Sequence, residues 1–342
     1  MVARLGLPLI VCVLCFGASA FGQVTQKQAV AEEAVSAIVD LFANYQLVGL
    51  GEGPHNNEAG HTFRMALVRN ATFQDRVNDI VVEFGNARYQ ALMDRFILEG
   101  EPIPFAQLRD VWQNTTVPST IWDKPIYFDF LVAIQEANQK RPMQRRVRVL
   151  LGDPPVDWAS IKTADDINRN YPLRGPHAAE VIRREVLAKG RKALVIYGDG
   201  HFEGRGVKEL RSLLNLVESD PKIKMFTISN SFVDLPKMVP VASTWSVPSV
   251  IRVQGTELGS RPYGDFYPVG DDPKWKGVTL QQQFDAVLWL GGQANMTFAE
   301  LPKSLCTDTE YMTMRLRRYA LTATPRNPDP ASRLKEYCGL KP

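Results

Sequence analysis

Short runs of Val, Ile and Leu recur between longer segments of helical period along most of this chain. That alternation is the pattern of a largely parallel sheet covered by helices on both faces, because a parallel strand is buried on two sides and reads as a continuous apolar run. The fold class expected is therefore α/β. The expected strands are 47–50, 79–83, 147–151, 193–197, 225–229, 250–253 and 286–290, and the expected helices 28–45, 58–68, 87–98, 127–138, 177–189 and 207–217. Gly190 falls just past the fifth helix, where a left-handed cap is wanted, and the next strand begins three residues later.

The chain has 342 residues, 45% of them hydrophobic, enough to bury a large core. From Lys237 the texture changes to Pro, Ser and Gly between short apolar runs, so 237–342 reads as a loop-rich C-terminal part that decorates the sheet of one α/β domain spanning 21–342. Lys plus Arg at 40 against Asp plus Glu at 37 leaves a net charge of +3, too even to imply an electrostatic partner such as nucleic acid or an anionic bilayer. A small molecule is the partner expected.

Residues 1–20 read as a signal peptide. Arg4 precedes the apolar stretch 5–16, and Ala18, Ser19 and Ala20 supply the small-residue cleavage pattern. The stretch is well short of the ~20 apolar residues a spanning helix needs, so no membrane anchor is expected after cleavage. The expectation is an exported bacterial protein, periplasmic or secreted. Cleavage removes Cys12 and Cys15 and leaves Cys306 and Cys338, which an oxidising compartment allows to join; two free thiols are the alternative. Three Asn-x-Thr matches, at Asn70, Asn114 and Asn295, carry nothing in a bacterial exporter.

Glu52, Glu83, Asp153 and His201 each lie just beyond the carboxyl end of an expected strand, the edge where open α/β sheets bind ligands. Singly, each reads as a loop residue capping the next helix. Together they point to one site fed by four strands. In the first segment, glycines 49, 51 and 53 bring Glu52 and His55 into one short loop where a carboxylate can orient an imidazole, and His61 and Arg64 follow on one helix face. All four histidines, His55, His61, His177 and His201, lie in strand-to-helix segments or at a helix start.

Several chemistries drop out. No G-x-S-x-G elbow, P-loop or H-E-x-x-H occurs, and Pro54 with a missing third glycine spoils a dinucleotide loop. A mixed carboxylate and imidazole metal site from Glu52, His55, Glu83 and His201 stays open, although no local spacing demands it.

Gly51-Glu52-x-x-His55, Glu83-Phe84-Gly85 and Gly198-x-Gly200-His201 together resemble the superfamily of erythromycin esterases, ChaN haem-binding uptake proteins and Tiki/TraB proteins. The likeness spans roughly 45–205, with a weaker echo at Phe284-Asp285-Ala286-Val287. The esterase branch implies hydrolysis of an ester, carried onto Glu52, His55, Arg64, Glu83 and His201 as the matched positions. With the signal peptide, the expectation is an exported hydrolase in which Glu52, His55, Glu83 and His201 are catalytic, Arg64, His61, Asp153 and His177 bind substrate, and no metal is held. Arg174-Gly175-Pro176 stands where an arginine and acid pair would precede His177, a departure from the family. The ChaN branch, echoed by Gln90, Asp94, Gly100 and Trp112, implies a haem or iron binder without turnover, though its haem-ligating tyrosine and histidine find no counterpart here. The Tiki branch implies a metal-dependent peptidase. No cofactor is expected for the leading reading, with haem or a divalent metal as the alternatives.

Overall fold

A computed structural model describes residues 27–205, 211–231 and 233–340. The expected signal peptide with Cys12 and Cys15, and the first residues of the expected helix 207–217, lie outside them. Eight strands form one sheet: β1 (Ala31–Glu33), β2 (Leu47–Gly51), β3 (Asp79–Asn86), β4 (Arg148–Asp153), β5 (Ala193–Tyr197), β6 (Met225–Ser231), β7 (Ser249–Arg252) and β8 (Ala286–Trp289). Their order is β1, β7, β8, β6, β2, β5, β3, β4. From β8 to β4 every neighbouring pair is parallel, while β7 runs antiparallel to both β8 and β1.

Although the central strands are buried on both sides, they still divide their side chains between two cores. Val48, Leu50, Ile80, Val82, Leu194 and Ile196 pack under α1 (Ala34–Leu41), α2 (Glu58–Arg69) and α3 (Pro125–Gln139). Leu47, Val81, Leu150, Val195 and Tyr197 face the other way, toward α4 (Arg174–Val181). Strand geometry alternates faces residue by residue, so a run such as Ala193–Tyr197 feeds both layers.

The differences from expectation have local causes. The segment read as a helix over 28–45 begins as β1, which pairs with the edge of β7; Glu33 then caps α1 by accepting the N–H groups of Val35 and Ser36 at 3.0 and 2.8 Å. The helix expected over 177–189 begins at Arg174, passes through one π-turn at Ile182–Val186 and closes on Gly190 at φ +63°. Within the loop-rich 237–342, the strands expected at 250–253 and 286–290 join the sheet as β7 and β8. No helix is expected where α5 (Thr309–Ala320) forms. Two arginines on the buried face of α5 hide its helical period: Arg315 meets Asp123 at 2.6 Å with neither exposed, and Arg318 donates to the Gln113 carbonyl and stands over the Trp158 ring. Cys306 and Cys338 are joined as a disulfide. Among the described residues, no helix is long and apolar enough to cross a membrane.

Candidate active site

The carboxyl edge of the sheet is where the polar side chains gather. The Glu52 N–H donates to the Tyr197 carbonyl at 2.8 Å, extending the ladder one residue past β2 before the chain turns. Gly53 turns it in the left-handed region at φ 66°, which costs a glycine nothing. Asn57 then locks the loop, accepting from the Gly60 N–H at 2.6 Å as the cap of α2 while its amide donates to the Glu52 and Pro54 carbonyls at 2.8 and 2.6 Å. A cap of this kind is worth about 1 kcal/mol for its helix. Here the same side chain also fixes the backbone between Glu52 and His55.

Glu52, 1% exposed, holds His55 Nδ1 at 2.7 Å through Oε2, and its Oε1 lies 3.3 Å from Arg64 Nη2. Burial pushes the carboxyl up, but the Arg64 charge and the His55 bond outweigh it and hold the group below its ordinary range. For His55, burial works against the imidazolium, yet the bond and charge of Glu52 raise the ring above its usual 6.5. The ring stands edge-on to buried Trp122, centroids 4.7 Å apart. With Nδ1 engaged, Nε2 is the nitrogen left for chemistry.

Glu83 sits inside the last stretch of β3 and not beyond its end, because the strand runs on to Asn86 through a register shift. Regular pairing of β3 with β5 stops at Val82 and Ile196, and the Gly198 N–H donates instead to Glu83 Oε2 at 2.8 Å. Glu83 Oε1 takes the Arg174 guanidinium and His201 Nε2, the latter at 3.1 Å. Burial raises this carboxyl, but His201 and Arg174 drive it far below the carboxylate range. A Cβ at Gly198 would crowd the His55 ring, 3.2 Å from Cε1 and 3.3 Å from Nε2, and touch Glu83 Oε2 at 3.6 Å. The two carboxylate and imidazole pairs thus approach each other across one backbone.

A cavity of about 550 Å³ opens over these groups. His55, Glu83, Arg174 and His201 line it, with Tyr171 and Tyr267 among its aromatic walls. Asp199 also lines it, accepting from the Tyr267 hydroxyl at 2.6 Å, Ser229 at 3.2 Å and the Gly53 N–H at 3.3 Å, and burial pushes it up to about 6.

Glu52, His55, Glu83 and His201 therefore meet, with Glu52 behind His55. The four residues expected to bind substrate are placed differently. Arg64 is buried against Glu52, and Asp153 is buried under Thr116, whose N–H and hydroxyl both donate to it at 2.6 Å. Burial pushes Asp153 up to about 7 against those bonds and the Arg174 charge. His61, lowered to about 4 by burial and by Arg64, and His177, lowered by burial, are not among the residues lining the cavity. Arg174, marked in the sequence only as a departure, does line it and bridges Glu83 to Asp153, with Nε 3.4 Å from the latter. Asp199 carried a readable signal, lying between the two glycines of the His201 segment. Tyr267 carried none, since it arrives from the loops after Lys237.

One atom each from Glu52, His55 and Glu83 lies within 4.8 Å of the others, close enough to surround a cation. The bonds already made are a poor fit to one. Arg64 and His55 serve Glu52, while Arg174, His201 and the Gly198 N–H serve Glu83, so a metal would have to displace charges that already neutralise both carboxylates.

No protein-family model matches this sequence, and no curated protein does. Solved structures are similar in fold. A succinoglycan biosynthesis protein overlaps with a TM-score of 0.51 at 11% identity, over 80% of this chain and 96% of its own. A protein from Bacillus cereus overlaps at 0.50 and 12%, with the same coverage. An erythromycin esterase mutant in its open conformation overlaps at 0.50 and 12%, over 78% of this chain and 94% of its own. The chain shares the fold of erythromycin esterase, as its three motifs implied.

Proposed function

We propose that this protein is a hydrolase of esterase type in which His55 is the general base. The observation that carries the reading is the Glu52–His55 bond: it holds the proton on Nδ1, strengthens the ring as a base and leaves Nε2 at the cavity. His55 Nε2 takes a proton from water as the water oxygen bonds to the ester carbonyl carbon, and the carbonyl electron pair moves onto oxygen. Arg174 faces that developing oxyanion, with Nη1 left after Nη2 and Nε are engaged by Glu83 and Asp153. Collapse breaks the bond to the leaving oxygen, which departs as an alcohol with the proton returned by His55.

Glu83 is a hub and not a base, because His201, Arg174 and the Gly198 N–H all meet it and the two charges hold its carboxyl far below the carboxylate range. His201 donates through Nε2, so in its neutral form Nδ1 is an acceptor, suited to holding the attacking water or a substrate hydroxyl. Arg64 acts through Glu52 by keeping it charged.

The test is an ester panel assayed with the parent protein and with His55→Ala, alongside metal analysis and haem titration of one preparation. Loss of about 10²–10⁴-fold in turnover with the fold intact is the expected result. Equal activity in the variant rejects the base. Stoichiometric metal with chelator-sensitive activity would favour a metallopeptidase, and a Soret band weakened in the variant would favour a haem binder.

A further inference from the structure

At the opposite edge of the sheet, where β3, β4 and β5 begin, a second cleft of about 290 Å³ is lined by four arginines, Arg141, Arg145, Arg146 and Arg191. Its lining includes a single carboxylate, Asp75. The overall charge of the chain conceals this cluster: the segment from Lys140 to Arg148, both included, holds five basic residues and no acidic one.

Three of the four guanidiniums are fixed in place. Arg141 meets Asp75 at 2.5 Å and the Gln74 carbonyl at 3.2 Å, and its Nε donates to the Arg145 carbonyl at 3.1 Å. Arg146 donates to the Leu98 and Arg141 carbonyls. Arg191 forks onto Asp79 at 2.6 and 2.8 Å and reaches the Asn78 carbonyl at 3.1 Å. A guanidinium has five N–H groups, so each keeps donors that these bonds do not use. Arg145 differs: its side chain makes no hydrogen bond or ion pair among the described residues, and its charge reaches Asp75 only at a distance.

Asp75 and Asp79 offset two of the four charges, which leaves Arg145 and Arg146 without a counterion. Packing unneutralised guanidiniums around one hollow is repulsive, and three are held rigid while the fourth performs no structural task. Planar guanidinium forks match a tetrahedral oxyanion, and pre-fixed donors lose little freedom on binding one. We propose that this cleft binds a phosphate group, either free or on a small molecule, or carried by a lipid headgroup. It lies roughly 17 Å from the His55 cavity, five residues of β5 at about 3.3 Å each, and is independent of the chemistry there.

Calorimetric titration with inorganic phosphate and pyrophosphate, and co-sedimentation with vesicles of phosphatidylglycerol against vesicles of phosphatidylcholine, test it on the whole protein. Parent protein should bind, and Arg145→Glu should weaken binding on the order of tenfold or more, the worth of one charge-assisted bond. Arg145→Lys should recover part of the loss, and added salt should weaken both. Saturable phosphate binding without vesicle binding assigns a soluble ligand; binding to anionic vesicles alone assigns a headgroup. No binding in either arm, or binding that Arg145→Glu leaves untouched, overturns the proposal.

Discussion

Glu52, His55 and Arg64 on one side of the cavity, and Glu83, His201 and Arg174 on the other, are the same three groups assembled twice and wired differently. Glu52 spends one oxygen on His55 and faces Arg64 with the other, so its histidine is held by Nδ1 and presents Nε2. Glu83 gives a single oxygen to both His201 and Arg174, and its histidine is held by Nε2. The buried arginine follows the same division: Arg64 lies behind its carboxylate, while Arg174 reaches the cavity. On the proposed reading, one set moves a proton and the other presents fixed charge. Identical composition thus yields two arrangements, set by which nitrogen the carboxylate occupies.

The sharpest way to break that contrast is to exchange each carboxylate for its amide. Glu52→Gln can donate into His55 Nδ1 and put the proton on the wrong nitrogen, so turnover on an active ester should fall by about 10⁴-fold, as when a triad carboxylate becomes an amide. Glu83→Gln should act on stability first. It leaves a buried guanidinium without its main counter-charge, and chemical denaturation should reveal a loss of about 3–5 kcal/mol. If the two variants behave alike in both assays, the division of labour is wrong.

A finer test uses pH. His55 is raised above 6.5, so its basic form appears only above that raised value, and kcat/KM should climb with pH through an acid limb lying above 6.5. Its contribution to stability has the opposite sense, present in full below 6.5 and lost as pH rises through the raised value. The residual activity of Glu52→Gln should carry the limb to lower pH, whereas His201→Gln should leave it in place. The smallest effect belongs to Asp153. With its carboxyl raised to about 7, the protonated form is the one the fold favours, so its stabilisation is complete below 3.8 and fades as pH rises through about 7. Asp153→Asn should cost about 1 kcal/mol or less at pH 5, the net value of one hydrogen bond to Thr116, and should flatten that decline.

Much of the scaffold was readable from patterning. The strand expected over 193–197 is β5 residue for residue, and that expected over 47–50 is β2 short of Gly51, so the carboxyl-edge positions of His201 and Glu52 follow from them. Reading failed where tertiary contacts supply what local pattern lacks. β1 is three residues long and exists because β7 offers an edge. α5 buries Arg315 and Arg318, residues that ordinarily mark a solvent face, because Asp123 and the Gln113 carbonyl meet them from 192 and 205 residues away. Arg174 escaped notice as a site residue for the same reason, since nothing near it in the chain announces Glu83.

Periodicity alone was sufficient to dictate the α/β class, seven of the eight described strands in their chain order and the delivery of acid and imidazole to one edge, because burial on two faces and the spacing of turns are local demands on composition. Which carboxylate grips which nitrogen, which arginine faces the cavity and which stands behind it, and which histidines stay away from it were settled only when strands distant in the chain became neighbours. Those choices depend on hydrogen-bond geometry and on the exclusion of water, and neither exists until the sheet has formed.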